Sequence, residues 1–304
     1  MEKNNIERAF QLFFNEQLKE KIEVLTIYVA SIGFLIHLLL VFIFNLGGFS
    51  SHPEYVSFLG NPIAAIYTPF SFILVYEVYL LVYYLPRSFS ISIAKQFEIV
   101  SLILIRRIFK DISKLDIDNI ELFSFDNLIL LYDIVGFLIM FFLIFVFRYL
   151  LINKRTHAKT KNMEGFIYYK KALCIILGPL LLGLSIYSFG NWLFEFYQLN
   201  NNVITEVKDF NKIFYNEFFT AMILVDVLIL VASFRYTDRY SLIIRNTGFV
   251  VTTVLIRIAF STTGLANITL LLSGTLFGVI ILYIYSLYDK IDKGESTKES
   301  YAYL

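Results

Sequence analysis

The sequence predicts an all-α, polytopic membrane protein of about eight transmembrane helices with both termini cytoplasmic. Three observations carry that expectation. Apolar runs long enough to cross a hydrocarbon layer of about 30 Å, which takes 18 or more residues, recur from Ile22 to Asp289. Hydrophobic residues make up 58% of the 304-residue chain and charged residues 17%, with a mean hydropathy of +0.68; soluble domains hold roughly 45–50% apolar residues. Lys and Arg fall on alternate loops, as they do when positive residues resist translocation.

Residues 1–22 come first. Ile6, Phe10, Phe13, Phe14 and Leu18 recur at helical spacing with Lys3, Arg8, Glu16 and Lys19 between them. That pattern predicts an amphipathic helix, lying on the cytoplasmic membrane face or packing on another subunit. Polar residues precede the first apolar run and no small-x-small cleavage site ends it, so the first span is expected to stay in the mature chain.

Eight spans follow, at about 23–46, 66–85, 89–109, 126–148, 172–197, 213–234, 242–260 and 264–288. The third holds Lys95, Glu98, Arg106 and Arg107, so it either lies along the interface or is shielded from lipid by other helices. A seven-span arrangement stays open if the last two short runs do not both cross. With the N-terminus inside, the cytoplasmic side collects Lys3, Arg8, Lys19, Lys21 and Arg87. It also collects the cluster Lys154, Arg155, Lys159, Lys161, Lys170 and Lys171, then Arg235, Arg239, Lys290, Lys293 and Lys298. One loop disagrees, since Arg106, Arg107, Lys110 and Lys114 face outward, offset by Asp111, Asp116, Asp118 and Glu121. Dropping span 3 would move the Lys154–Lys171 cluster outside, a worse violation. The expected organisation is a cytoplasmic helix (1–22), a first four-helix bundle (23–152), a basic linker (153–171), a second four-helix bundle (172–289) and a cytoplasmic tail (290–304). The cell inner (cytoplasmic) membrane is the expected location.

Composition excludes several classes. Lys plus Arg number 26 against 25 Asp plus Glu, so no net charge directs the chain to nucleic acid. Cys174 is the single cysteine, which rules out an intrachain disulfide. His37, His52 and His157 show no ligand spacing, and no metal or cofactor is expected. No segment between spans is long enough for a soluble catalytic domain. Gly-x-Ser-x-Gly, P-loop and dinucleotide motifs are absent. Tyr132-Asp133 resembles the first half of the intramembrane aspartyl protease pair, but no Gly-x-Gly-Asp follows; Asp226 stands in Leu224-Val225-Asp226 instead. No enzyme activity is expected.

Charges inside spans are the best functional clues, because each costs roughly 2.5–3.5 kcal/mol at the centre of a membrane helix and so faces the bundle interior or a partner. Glu77, Lys95, Glu98 and Asp133 are the candidates for an ion pathway, with His37 in span 1; a static salt-bridge network is the rival reading. Lys95 and Glu98 are three apart and can pair locally. In the second half Asp226 and Arg245 sit at similar depth from the turn Tyr236–Tyr240 and are expected to pair, with Arg257 seeking another partner such as Glu195. Gly274 and Gly278, in a run rich in Thr and Ser, predict close helix packing within or between subunits, or a polar pore lining.

Phe72 to Pro86, the turn Arg87–Ser92 and Phe97-Glu98-Ile99 together resemble the second and third helices of the voltage-sensor fold of cation channels, over residues 72–110. The resemblance places Glu77 and Glu98 in that family's acidic positions and implies a four-helix bundle with a hydrated interior. Asn127 to Phe147 departs from the family, carrying Asp133 and no Arg or Lys ladder, so voltage sensing by moving arginines is not expected.

The functional expectation is an ion-conducting or ion-translocating homo-oligomer in the lipid bilayer, with spans 7 and 8 supplying the subunit contact. The alternative is a non-conducting scaffold that holds anionic lipid or a cytoplasmic or envelope partner at the basic linker.

Overall fold

The computed structural model describes residues 2–46, 59, 62–112, 125–152, 163–200, 210–236, 239–262 and 264–302. Helix dominates throughout, and no strand occurs among the described residues. The helices are α1 (Glu2–Phe13), α2 (Glu16–Asn45), α3 (Tyr67–Tyr84, after a 3-10 turn at Pro62–Ile66), α4 (Phe89–Ile112) and α5 (Phe125–Ile152). They continue with α6 (Met163–Asn200), α7 (Phe210–Tyr236), α8 (Tyr240–Phe260) and α9 (Gly264–Ala302). The eight expected spans fall on α2 to α9. Among the described residues, the stretches Asn5–Asn45, Asn127–Ile152, Tyr240–Phe260 and Gly264–Ile291 are long and apolar enough to cross a membrane. The eight-residue run of basic and polar positions 154–161 lies outside the described residues.

The first expected element divides in two. Asn15 takes extended backbone and its side chain accepts from the Leu18 amide at 2.6 Å, an N-cap that starts a new helix where the apolar spacing alone runs on. The apolar stripe of α1 packs on its own chain: Phe10 stacks on Phe14 and Phe14 on Tyr79 of α3. Lys171 of α6 reaches Glu7 at 2.5 and 2.7 Å.

Helix α4 sits at the centre. It packs against α3, α5 and α8 and buries Ser90, Ser92, Ile93, Gln96, Phe97, Ile99, Val100 and Leu104. Neighbouring helices cover much of this charged segment. The periphery shows the opposite composition: Leu25, Leu35, Leu39 and Phe42 of α2 and Leu138, Phe141, Phe142 and Phe145 of α5 are exposed. Apolar outside and polar at the centre is what a bilayer favours, since charge is least costly where protein replaces lipid around it.

The two expected bundles share one core. Phe97 of α4 stands edge-on to Phe147 of α5, which packs on Phe249 of α8, and α5 packs along α9. Small residues set the close approaches. A Cβ on Gly278 would stand 2.8 Å from Phe97 Cζ and 3.1 Å from Thr252 Cγ2, and one on Gly274 would stand 3.2 Å from Leu255 Cβ. The Gly274/Gly278 face packs on α8 and α4 of the same chain, the within-chain form of the close packing their spacing predicts. The α8–α9 turn closes through Gly264 at φ +62°, a left-handed conformation that glycine adopts without a Cβ clash.

Candidate functional site

Along α4 several polar side chains reach out in different directions, and Gln96, Glu98 and Arg107 each meet a group on another helix. Lys95 Nζ bonds Glu98 Oε2 at 2.8 Å, as their spacing predicts. Glu98 Oε1 is held in turn by Arg148 of α5. Lys95 also lies over the Tyr84 ring, 5.1 Å from its centre. Nine residues on, about 14 Å along the helix axis at 1.5 Å per residue, Arg107 forks onto Asp133. Its Nη2 donates to Oδ1 at 2.7 Å, its Nε donates to Oδ2, and its Nη1 donates to Asn267 Oδ1 of α9 at 2.7 Å. Asn267 Nδ2 donates to the Ala259 carbonyl at 2.6 Å. The C-terminal end of α4 is thereby fastened to α5 and α9, and through Asn267 to the end of α8.

Glu77, from α3, faces the Lys95–Glu98 pair but joins none of these bonds. Its Oε2 is buried without a hydrogen-bond partner, within electrostatic reach of Lys95, Glu98 and Glu23. The other carboxylates of the polar interior are engaged: Glu98 and Asp133 through both oxygens and Asp226 through Oδ2. A buried carboxylate oxygen left unbonded is costly, of the order of 1–3 kcal/mol or more, and such a group is most favourable when it takes up a proton or a cation.

Of the expected pathway residues, the structure brings Glu77, Lys95 and Glu98 together and places Asp133 in the separate Arg107 cluster. The expected Asp226–Arg245 pair does not form. Asp226, 2% exposed, accepts from Gln96 Nε2 at 3.0 Å, whereas Arg245 donates to Asn246 Oδ1 at 2.9 Å and lies 4.5 Å above the Tyr285 ring. Matching depth fixes height along a helix and leaves direction around it open, and these two side chains point to different neighbours. Arg257 reaches Thr220 and Ser261 hydroxyls at 3.4 and 3.3 Å; the side chain of Glu195, its suggested partner, lies outside the described residues. Gly274 and Gly278 stand in the α8–α9 contact.

Sequence reasoning missed Arg148 and Gln96, offered Asn267 only as a pore-lining oxygen, and set Arg107 in the outward loop. A signal for the arginines existed. Helices α4 and α5 are consecutive, and each carries an acid first and an arginine later, Glu98 then Arg107 and Asp133 then Arg148; antiparallel packing puts acid against base at both ends. Gln96 carries no charge and left no comparable trace.

The basic linker is partly spent internally. Lys170, 3% exposed, donates to the Arg87 carbonyl at 2.8 Å and lies 4.7 Å from the Phe166 ring centre, and Lys171 holds Glu7. Cys174 is buried, its thiol 3.4 Å from the Val82 carbonyl. Among the described residues no three His, Cys, Asp or Glu side chains converge as a metal site.

Comparison of the chain with protein-family models, characterised proteins and solved structures finds no match.

Proposed function

We propose that this chain is an ion-translocating protein of the cell inner (cytoplasmic) membrane, with α2 to α9 crossing it, both termini in the cytoplasm, and Glu77 as the ion-accepting group. Helix parity and charge support the orientation. An even number of crossings returns the chain to the side it left, and Arg107, one of the four charges that disagreed with the positive-inside pattern, pairs with Asp133 inside the bundle. The single observation that carries the function is Glu77 itself: its buried Oε2 without a bond stands beside Glu98, whose charge is met by Lys95 and Arg148. A resident salt bridge would engage that oxygen, and neither Lys95 nor Arg148 does. The resemblance of residues 72–110 to two voltage-sensor helices agrees with a hydrated interior at this position.

Flux of purified protein in liposomes, with Glu77→Gln as the comparison, tests the reading. The expected result is flux in the wild type, lost in the variant, with unchanged elution and melting because no existing bond is removed. Equal flux in the two proteins would overturn it.

A further inference from the structure

We infer that the ion accepted at Glu77 is a proton, exchanged with the cytoplasmic side through Tyr76 and Glu23; this rests on the reading of Glu77 as the ion site. Three observations point to a proton rather than a metal cation.

The first is the supply of oxygen. Hard divalent cations take about six to eight oxygens, and potassium filters replace the hydration shell with rings of carbonyls. Beside Glu77, both oxygens of Glu98 are occupied by Lys95 and Arg148, and Glu23 Oε2 accepts from the Tyr76 hydroxyl at 2.8 Å. The Glu77 carboxylate on its own is a poor cage for a metal and a sufficient seat for a proton.

The second is the charge around it. Lys95 and Glu98 face Glu77 from α4 and Glu23 from α2. From α6, the third helix against α3, come Lys170, Lys171 and Cys174, bonded to the Arg87 carbonyl, Glu7 and the Val82 carbonyl. A metal ion at Glu77 would meet the Lys95 ammonium as a second positive centre. A proton neutralises the carboxylate and leaves the Lys95–Glu98 pair intact.

The third is the seam between α2 and α3. Glu16, Glu23 and His37 recur on α2 at multiples of seven, one face of the helix. Each meets a hydroxyl of α3: Tyr83 to Glu16 at 2.8 Å, Tyr76 to Glu23 at 2.8 Å, and Thr68 with His37 Nδ1 at 2.6 Å. Apolar packing would join two lipid-flanked helices without a titratable group at each of these positions. Tyr76 lies within electrostatic reach of Glu77, which sets the middle rung of the seam near the accepting carboxylate.

The proton balance is simple. On uptake, hydronium gives its proton to the Glu77 carboxylate, leaving water and a carboxylic acid. On release, that O–H breaks, Tyr76 accepts the proton on its oxygen as it passes its own hydroxyl proton to the Glu23 carboxylate, Glu23 gives that proton to cytoplasmic water, and Glu77 and Glu23 both return to the anion. No electron transfer is involved.

The test uses the full chain in liposomes of phosphatidylethanolamine and phosphatidylglycerol. An interior pH dye follows potential-driven proton entry, and parallel vesicles hold sodium or potassium indicators. The expected result is proton flux that falls about tenfold or more in Glu77→Gln, survives in part in Glu77→Asp, and slows severalfold in Glu23→Gln and Tyr76→Phe. A hydrophobic carbodiimide, which modifies protonated carboxyls in apolar surroundings, is expected to label Glu77 in the wild type and stop flux, so the claim stands or falls even if a variant fails to fold. Sodium or potassium flux that depends on Glu77 without proton flux would overturn the proton assignment and leave the ion reading standing. Absence of flux of any of the three ions would overturn both, as would proton flux indifferent to Glu77→Gln and to the carbodiimide.

Discussion

Arg107 grips Asp133 through both carboxylate oxygens, across 26 residues of sequence, at the end of α4 far from its Phe89 start. Asp133 is 1% exposed, so its charge depends on this one partner. Removing one member of a buried pair leaves an uncompensated charge and typically costs about 3–5 kcal/mol; the partial exposure of Arg107 puts the cost here at the lower end. Arg107→Ala is expected to lower the melting temperature in detergent strongly. Adding Asp133→Leu is expected to restore much of it, which melting of the single and double variants checks.

A second expectation concerns glycine. At Gly278 a methyl would press on Phe97 and Thr252, whereas at Gly183 nothing lies within 4 Å. Gly278→Ala is expected to destabilise by about 1–3 kcal/mol, as overpacking does, while Gly183→Ala gains up to about 1 kcal/mol of helix propensity. Melting of the two variants side by side checks the contrast. A change of oligomeric state in Gly278→Ala with unchanged melting would return this face to the subunit contact.

Gln96→Leu is expected to destabilise by about 1–3 kcal/mol, because the Asp226 carboxylate then keeps no donor in a fully buried position. Gln96→Leu with Asp226→Leu removes both polar groups and is expected to be closer to the wild type. Chemical or thermal unfolding of the single and double variants distinguishes the two.

Glu7 and Lys171 are partly exposed, so their pair is worth at most about 1 kcal/mol and weakens in salt. Lys171→Glu is expected to loosen α1 and speed proteolysis near Asn15, and the exchange Glu7→Lys with Lys171→Glu to slow it again. Added salt is expected to move the wild type toward the single variant.

Much of the fold was legible because hydrocarbon length imposes a strong pattern. The run 66–85 is found as Tyr67–Tyr84 and the run 242–260 as Tyr240–Phe260. Hydropathy also marked α4 as the span that lipid would not tolerate, and its central position is the structural answer. The site was legible only in part. Lys95 and Glu98 are neighbours on one helix, so spacing sufficed. Asp226 was assigned to Arg245 because a short turn matches their depths, yet direction around the helix is set by which faces pack, and that depends on every other helix. Gln96 was invisible to an argument that ranked charges. The break at Asn15 was legible as a cap followed by Glu16, but the apolar spacing runs across it and hid it.

The most direct test pairs flux with melting in Glu77→Gln and Asp133→Asn. Glu77→Gln is expected to lose flux with melting unchanged, since Oε2 of Glu77 has no bond to lose. Asp133→Asn is expected to lower melting and to keep flux in the protein that stays folded, since Arg107 loses its counter-charge. The reverse pattern, with Glu77→Gln conducting normally and Asp133→Asn fully folded but silent, would contradict the account.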